Sequence, residues 1–431
     1  MAVQQHVAAS IFDINLGART AALVCLAILA TVLTIVPTGQ AQTLTVLHAF
    51  SGLDGDLPFA GLTLDRAGNL YGTTYQGGAA GFGNVFKLSH EGSGWVLSNL
   101  YSFQGGRDGE HPQARVVFGP DGTLYGTTTN GGNGNGFGTV FNLRPSATIC
   151  RAIQCPWTET VLYRFTGGTD GRYPQYGDLT FDAAGNLYGT TAYGGDPSCN
   201  RSGGGCGVVF ELSRSGGGWT ESVLYAFPGS PESGAEPFSG VTFDSAGNLF
   251  GTTFIVSSTV YELTPSGSGW TQTILHTLTG DEGDYPIGGV AFDQQGNLYG
   301  ASEYGGNGIG TVFQLQPANG NWNFNLLYNW GGGPGPGPTD TPTLDAAGNV
   351  YGTTSGGITG FGGVFKLTPG ANGWTYTDLY DFGDPHLSDG FTPLGGVVLD
   401  GNGNLYGTTS EGGNFNPPCG EGCGVVWEIT P

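Results

Sequence analysis

The chain has 431 residues, of which 83 are Gly, 34 are Asp or Glu and only 12 are Lys or Arg. The formal charge of −22 argues against nucleic acid and anionic membrane surfaces as partners, because phosphates would be repelled and no basic stripe is present. The length is ample for a large core, and 38% apolar residues is ordinary for a soluble protein.

The N-terminus has the pattern of a secretory signal peptide. Arg19 precedes an apolar run over residues 21–36, and Gly39-Gln40-Ala41 fits a small-x-small cleavage site. We therefore expect residues 1–41 to be removed on export, which leaves no membrane-inserted segment in the mature chain. An uncleaved membrane anchor is the alternative.

One motif, Gly-Asn-Leu-Tyr-Gly-Thr-Thr or a close variant, dominates the rest of the chain. Its seven copies lie 49 to 63 residues apart and begin at Gly68, Gly122, Gly185, Gly247, Gly296, Gly348 and Gly403. A period of this size predicts an array of supersecondary units that stack to bury their apolar faces.

Each unit has the pattern of four short strands, which in the first unit are residues 61–65, 69–74, 84–88 and 95–103. The strands are predicted from runs of β-branched and aromatic residues bounded by Gly, Asp, Asn and Ser. The Asp-x-x-Gly step between the first two strands indicates a short hairpin. No apolar period of 3.6 residues is sustained outside the N-terminus, so we expect almost no helix.

The strand count predicts a closed ring. The last unit stops after its third strand, residues 424–429, whereas a spare fourth strand lies at the start of the mature chain, residues 44–50. We therefore predict an all-β fold, a seven-bladed β-propeller of four-stranded blades over residues 42–431, in which the N-terminal strand completes the last blade. Gly72 and its equivalents, inside the second strands, indicate a bulge or a close backbone approach.

Apart from Cys25 in the apolar run, the cysteines form three local pairs, Cys150/Cys155, Cys199/Cys206 and Cys419/Cys423. In an exported chain such pairs are typical of disulfides. Metal binding is the alternative, but thiolate sites usually bring four ligands together, and these pairs lie in different blades.

The whole pattern, Asp-x-x-Gly-Asn-Leu-Tyr-Gly-Thr-Thr, Gly-Gly, Gly-x-Val-Phe-x-Leu and Leu-Tyr-x-Phe, resembles the GloVer tandem repeat of the "choice-of-anchor" bacterial surface proteins over residues 44–431. The resemblance implies an exported, repeat-built protein, often held at the cell surface by a C-terminal segment. This chain ends on Glu428-Ile429-Thr430-Pro431 with no hydrophobic tail, so we expect secretion without such an anchor. The resemblance implies no chemistry for any residue.

In a propeller with this strand order, the connection from the fourth strand to the next first strand shares a face with the connection from second to third strand. Acidic residues followed by Gly recur in the former connection, at Asp54, Asp108, Asp170, Glu282 and Asp389. Five equivalent carboxylates around one rim suit a hard cation such as Ca²⁺, the one cofactor that the sequence suggests. Asp-Gly is also ordinary turn chemistry, repeated because the blade is repeated.

The same face carries aromatic residues, among them Tyr75, Tyr193 and Tyr304, which suit sugar rings but are also common in packing. Of the six histidines only His111 and His386 fall on this face, and with Asp108 and Glu282 they form the candidate metal set.

Three functions follow from these patterns, and no catalytic residue is predicted. The leading one is an exported, non-enzymatic binding or scaffold protein, expected to be a monomer, that contacts a glycan or a surface protein through one propeller face. The second is a metal-dependent lactonase-like or lyase-like enzyme, which rests on fold analogy alone. The third is a structural component of the extracellular matrix.

Overall fold

Twenty-eight strands in seven antiparallel four-stranded sheets make up the computed structural model. It describes residues 42–430 except 93, 135, 147–156, 201–203, 268, 332–336, 357–359 and 384–387. Within these residues the only helical element is a 3₁₀ turn at Gly106–Asp108, and no helix is long and apolar enough to cross a membrane. The prediction of an all-β fold is confirmed.

Each blade takes four strands in chain order, and the first of them faces the central channel. Blades 1 to 3 contain β2 (Thr63–Leu64), β3 (Leu70–Thr74), β4 (Asn84–Glu91) and β5 (Gly94–Ser102); β6 (Val117–Phe118), β7 (Leu124–Thr128), β8 (Thr139–Arg144) and β9 (Thr158–Arg164); and β10 (Thr180–Phe181), β11 (Leu187–Thr191), β12 (Val208–Ser215) and β13 (Gly218–Ala226). Blades 4 and 5 contain β14 (Thr242–Phe243), β15 (Leu249–Thr253), β16 (Thr259–Ser266) and β17 (Gly269–Thr277); and β18 (Ala291–Phe292), β19 (Leu298–Ser302), β20 (Thr311–Ala318) and β21 (Asn321–Asn329). Blades 6 and 7 contain β22 (Thr343–Leu344), β23 (Val350–Thr354), β24 (Gly363–Gly370) and β25 (Gly373–Asp381); and β26 (Val398–Leu399), β27 (Leu405–Thr409), β28 (Val425–Thr430) and β1 (Thr43–Ala49).

The ring is closed by the N-terminal strand, as the strand count predicted. β1 pairs antiparallel with β28, from Thr43 opposite Thr430 to Ala49 opposite Val425. A side-chain bond then joins blade 7 to blade 1, where Thr408 Oγ1 donates to the Ala60 carbonyl over 2.9 Å. Backbone pairing thus ties the two ends of the propeller together.

The Asp-x-x-Gly-Asn-Leu-Tyr motif is a self-contained turn. Asp65 Oδ1 accepts hydrogen bonds from the N–H groups of Ala67 and Asn69, and Oδ2 accepts from Asn69 Nδ2 and the Tyr71 hydroxyl. Partial burial works against ionisation of Asp65, but these bonds outweigh it and hold its pKa below the usual value.

Blades 3, 5, 6 and 7 repeat this arrangement in full. Blade 4 repeats it with Phe250 in place of the Tyr, and blade 2 uses Asp121 with Thr123 and Tyr125 as its partners. The Asp, Asn and Tyr of the motif are therefore structural.

The glycine inside each second strand lies beneath an aromatic ring of the third strand. Gly72 pairs with Phe86, and a Cβ on Gly72 would lie 2.5 Å from Phe86 Cζ. The equivalent pairs are Gly126/Phe141, Gly189/Phe210, Gly251/Tyr261, Gly300/Phe313, Gly352/Phe365 and Gly407/Trp427. The expected bulge is absent at Gly72; a bulge lies instead between Val85 and Phe86 in the pairing of β4 with β5. The close approach is made by a side chain rather than by backbone.

Seven apolar clusters fill the spaces between neighbouring blades. In one of them Tyr71 and Val85 of blade 1 pack with Leu124 and Phe141 of blade 2. The first Thr of the Thr-Thr step adds a polar tie between blades, since Thr73 Oγ1 donates to the Ala114 carbonyl over 3.1 Å. The apolar core of this protein therefore lies between blades rather than inside any one of them.

We expect Gly72→Ala to destabilise the protein by about 1–3 kcal/mol, because the added methyl overlaps the Phe86 ring in a close-packed interior. Gly94→Ala is the matched control, since Gly94 is exposed on β5 with nothing within 4 Å of an added Cβ, and a change within about 0.5 kcal/mol is expected there. Urea denaturation of both variants measures the difference. Equal stability of the two variants would contradict the role given to the ring.

Candidate functional site

The two connections predicted to share a face do share it. Short β-bridges join the connection before each first strand to the connection after the second strand, as in Asp56 with Gln76 and Glu110 with Asn130. We call the side of the disc that carries these bridges the loop face.

The five rim carboxylates lie on the loop face, but each closes a turn within its own blade. Asp54 accepts from the N–H and hydroxyl of Ser51, both at 2.8 Å, and contacts His48 Nε2 at 2.9 Å. Asp108 accepts from the Tyr101 hydroxyl and the Gln104 N–H. The same pattern, with a fourth-strand Tyr or His as partner, holds for Asp170 with Tyr163, Glu282 with His276, and Asp389 with Tyr380. The turn alternative accounts for these contacts.

The candidate metal set is not brought together. Asp108 and Glu282 bond to the fourth strands of blades 1 and 4, His386 lies outside the described residues, and His111 stacks on Tyr75 with ring centroids 4.6 Å apart. Burial lowers the pKa of His111 despite the opposing charge of Glu110. No three His, Cys, Asp or Glu among the described residues could hold a metal ion. Calcium binding stays a prediction from sequence that this geometry does not support.

Two of the three cysteine pairs form disulfides, Cys199–Cys206 and Cys419–Cys423. Both lie in connections between second and third strands on the loop face. The third pair, Cys150 and Cys155, lies outside the described residues.

Two fourth-strand acids lie against rim carboxylates of the preceding blade. Burial, reinforced by the charge of Asp108, raises the pKa of Glu159 to about 7, and burial with Asp170 does the same for Glu221. Oε1 of each has no hydrogen-bond partner among the described residues. In blade 4 the equivalent residue is Gln272, which accepts from the Tyr225 hydroxyl and donates to the Ser233 carbonyl.

We expect Glu159→Gln and Glu221→Gln to stabilise the protein at pH 8, because a folded-state pKa of about 7 against an ordinary 4.5 means that ionisation costs folding energy. The native protein therefore becomes less stable as the pH rises from about 4.5 to 7, because over this range the two carboxyls ionise in the unfolded chain but stay protonated in the folded one. Each Gln variant should gain roughly 1–2 kcal/mol at pH 8 and almost nothing at pH 5. Denaturant unfolding at both pH values measures the gain, and an equal gain at both would show that charge is not its cause.

The distinctive surface of the loop face is the mouth of the central channel. A cavity of about 450 Å³ lies on the axis and is lined by residues at or near the start of the first strand in all seven blades. Two sets of equivalent side chains lie at this end of the channel, and we call them together the mouth ring. The first set, apart from Phe238, borders the cavity, whereas the second lies outside the cavity lining and contacts the first, as Tyr75 does with Phe59 and Phe254 with Phe238. One set follows the proline before each first strand, namely Phe59, Gln113, Tyr176, Phe238, Ile287, Thr339 and Leu394. The other directly follows each second strand, namely Tyr75, Thr129, Ala192, Phe254, Glu303, Ser355 and Ser410.

Aromatic residues occupy the mouth ring on one side. Phe59 packs against Tyr75 with ring centroids 5.1 Å apart, and Phe238 packs against Tyr176 at 6.2 Å and Phe254 at 4.7 Å. Blades 6 and 7 contribute Thr339, Leu394, Ser355 and Ser410 instead. Ser355 is 5% exposed, and its hydroxyl has no partner among the described residues. The entrance is therefore aromatic on one side and small and largely polar on the other.

Tyr176 is one of the residues that line the cavity at this entrance. Only in blade 3 does an extra residue, Gln175, separate the proline from the mouth-ring position. Tyr176 lines the cavity together with Gln113 of blade 2 and packs against Phe238 of blade 4. Burial, with the charge of Glu303 of blade 5, raises the pKa of Tyr176. The residue stays 36% exposed, which leaves part of the ring open to a ligand.

Glu303 is the one acid of the mouth ring. Burial alone raises its pKa to about 7, because no cation compensates its charge. Among the described residues its carboxylate accepts no hydrogen bond, and its nearest titratable neighbours are Tyr176 and Tyr304. A carboxyl group that changes charge near neutral pH at a cavity entrance is typical of binding and catalytic sites.

Below the mouth, three charged residues interrupt a ring of small ones. In each blade an apolar residue leads into the first strand, and the two residues just before it are usually Gly, Ala, Ser or Thr. The exceptions are Arg115, Asp178 and Asp340. Arg115 donates from its N–H and Nε to Asp178 and forms an ion pair with it through Nη2. Asp340 accepts from the N–H groups of Thr341 and Gly396, and burial raises its pKa although Arg115 opposes the rise. A ligand that entered the mouth would meet these polar groups at its inner end.

The mouth ring lies on the face that the sequence predicted to carry ligand sites, and the predicted binding residues include only part of it. Tyr75 belongs to it, whereas Tyr193 and Tyr304 lie one residue farther along, in the bridges with Arg172 and Asp284. Gln113, Arg115, Tyr176, Asp178, Glu303 and Asp340 were missed. Aligning the seven repeats at the residues around the proline would have exposed most of them, because each departs from what the other blades carry there.

A family model described as the Gloeobacter/Verrucomicrobia repeat matches residues 28–255 and 255–431. The chain belongs to this family. The resemblance drawn from the repeat motif is thereby confirmed. No curated protein matches the chain.

Several solved structures are similar to this chain at TM-scores below 0.5. They include a putative oxidoreductase (glucose dehydrogenase) from Thermus thermophilus, 14% identical with a TM-score of 0.43 over 90% of this chain and 100% of that one. A putative 6-phosphogluconolactonase from Bacteroides uniformis is 14% identical with a TM-score of 0.47 over 74% and 82%. PorZ, a surface component of the type-IX secretion system of Porphyromonas gingivalis, is 15% identical with a TM-score of 0.49 over 87% and 46%. At these scores the similarities carry no argument about function.

Proposed function

We propose that this protein is an exported, non-enzymatic binding protein that holds a glycan over the mouth of its central channel. The observation that carries the proposal is the mouth ring itself, where a half-open Tyr176 and further aromatic residues border a polar cavity of about 450 Å³. Sugars are bound in this way because their C–H faces pack on aromatic rings while their hydroxyls bond polar side chains.

Export is supported by two observations. Disulfides such as Cys199–Cys206 and Cys419–Cys423 form and persist in oxidising compartments outside the cytosol. Residues 1–41 carry the pattern of a signal peptide, and we propose that this segment is removed on export.

The polar groups of the site are suited to orient a bound sugar. Gln113 and Thr339 line the cavity and carry an amide and a hydroxyl group from two blades, and the Arg115–Asp178 pair offers both donors and acceptors at the inner end. Arg115 and Asp178 are 23% and 28% exposed, and that exposure is to the channel, because both line its cavity. The ion pair is therefore accessible to a small polar ligand.

We expect Tyr176→Ala to weaken glycan binding about tenfold, because it removes the ring that overhangs the cavity; one stacking contact is worth roughly 1–3 kcal/mol. An array of bacterial-envelope and plant oligosaccharides identifies the ligand, and calorimetry measures the affinity. Leu326→Ala, which truncates a side chain 43% exposed on the outer strand β21, is the control and should bind normally. Full affinity in the Tyr176 variant, or no glycan bound by the native protein, would refute the proposal.

A second candidate function, acid–base catalysis on the bound sugar, is favoured by the pKa of about 7 at Glu303. It is tested with the oligosaccharides that the array identifies. Product formation that Glu303→Gln abolishes would make the protein an enzyme, whereas intact ligand after prolonged incubation leaves binding as its function.

A further inference from the structure

We propose that the channel mouth selects saccharides that carry a protonated amine, with the sugar ring on Tyr176 and the ammonium group beside Glu303. This inference rests on the proposed glycan function and names the class of glycan.

The first step is the position of the carboxylate. Glu303 of blade 5 directly follows the second strand, the position from which Tyr75 and Phe254 pack on rings of the first mouth-ring set in blades 1 and 4. Its charge acts on Tyr176 of blade 3, which lines the cavity. A sugar that covers the Tyr176 ring therefore has one edge close to Glu303. Aromatic faces and a carboxylate around one cavity form the combination that recognises ammonium groups, since both attract a cation.

The second step is the absence of a competing cation. Of the described basic residues near the mouth, Arg115 is paired with Asp178, and Arg172 lies between the rings of Tyr173 and Tyr193 at 5.7 and 5.8 Å. Glu303 has no such partner among the described residues. A ligand ammonium would supply the missing positive charge.

The third step is the charge of the surroundings. The loop face also carries Asp54, Asp56, Asp108, Glu110 and Asp284, and the whole chain has a formal charge of −22. This field attracts cationic sugars and repels uronic acids. A neutral N-acetylated sugar gains the stacking contact but leaves the Glu303 charge uncompensated.

A consequence concerns protons. Because burial holds the pKa of Glu303 near 7, a large share of the free protein carries a proton on this carboxyl at neutral pH. A bound ammonium favours the ionised form, so binding should drive the proton off this carboxyl. The proton passes to the buffer when the sugar amine is already protonated, and to the amine when that amine is neutral. Tyr176 and Tyr304, the titratable groups that face Glu303, stay neutral at this pH because their pKa values are raised.

The test is calorimetry at pH 7 and low salt with three tetrasaccharides, of glucosamine, N-acetylglucosamine and galacturonate. The glucosamine oligomer should bind about tenfold more tightly than the N-acetylated one, with the galacturonate oligomer weakest. Repeating the titration in buffers of different ionisation enthalpy should show proton release for the glucosamine oligomer alone.

Glu303→Gln should lower the affinity for the glucosamine oligomer to that for the N-acetylated oligomer and abolish proton release. Glu91→Gln, at an exposed end of β4, is the matched control and should keep the preference. Equal binding of both sugars by the native protein, or a preference that survives in Glu303→Gln, overturns the inference while leaving glycan binding intact. Failure of every sugar to bind overturns the proposed function and this inference together.

Discussion

In each blade an aromatic ring of the third strand lies across a glycine of the second, and the rest of the structure depends on this contact. Phe86 reaches over Gly72 only because no Cβ stands in its way, and six further pairs repeat the geometry. These rings belong to the clusters between blades and are only 0–1% exposed. Because the sheets themselves are only four strands wide, the packing between them supplies most of the buried apolar surface.

Seven similar blades place seven equivalent positions around one axis. A functional site is then expected where one blade carries a residue that the other blades lack. The contact of Gly72 with Phe86 recurs in every blade, and the turn built on Asp65 recurs in all blades except blade 2, because the fold needs them. Arg115, Asp178, Asp340, Tyr176 and Glu303 recur nowhere, and all five lie at or just below the channel mouth. Charge and aromatic surface that the fold does not require are thus concentrated in one place.

The fold was predictable because each of its determinants is local in sequence. The repeat period counted the blades, and the unmatched strands at residues 44–50 and 424–429 showed how the ring closes. The rim carboxylates were harder, since the sequence showed Asp108 and Gly109 but not that the Tyr101 hydroxyl and the Gln104 N–H would occupy the carboxylate. The same five residues therefore suggested a shared ion and proved to be turn acceptors in separate blades.

The mouth could be predicted only in part, because its properties arise from residues far apart in the chain. Tyr176 follows one inserted residue, Gln175, and lines the cavity. The insertion is visible in the sequence, but its effect depends on where the channel lies in three dimensions. Glu303 is an ordinary surface acid by sequence, and its pKa of about 7 comes from burial that three-dimensional packing creates. Tyr75 was predicted because it is an aromatic residue in a connection between second and third strands, which lies on the loop face.

The most direct test of the claim that the channel mouth is the binding site is a crystal structure of the protein with a glucosamine oligosaccharide. The account predicts one sugar ring stacked on Tyr176, with its amine nitrogen within hydrogen-bond distance of a Glu303 oxygen. Sugar bound at the outer strands or at the opposite face of the disc, with the mouth empty, would contradict it.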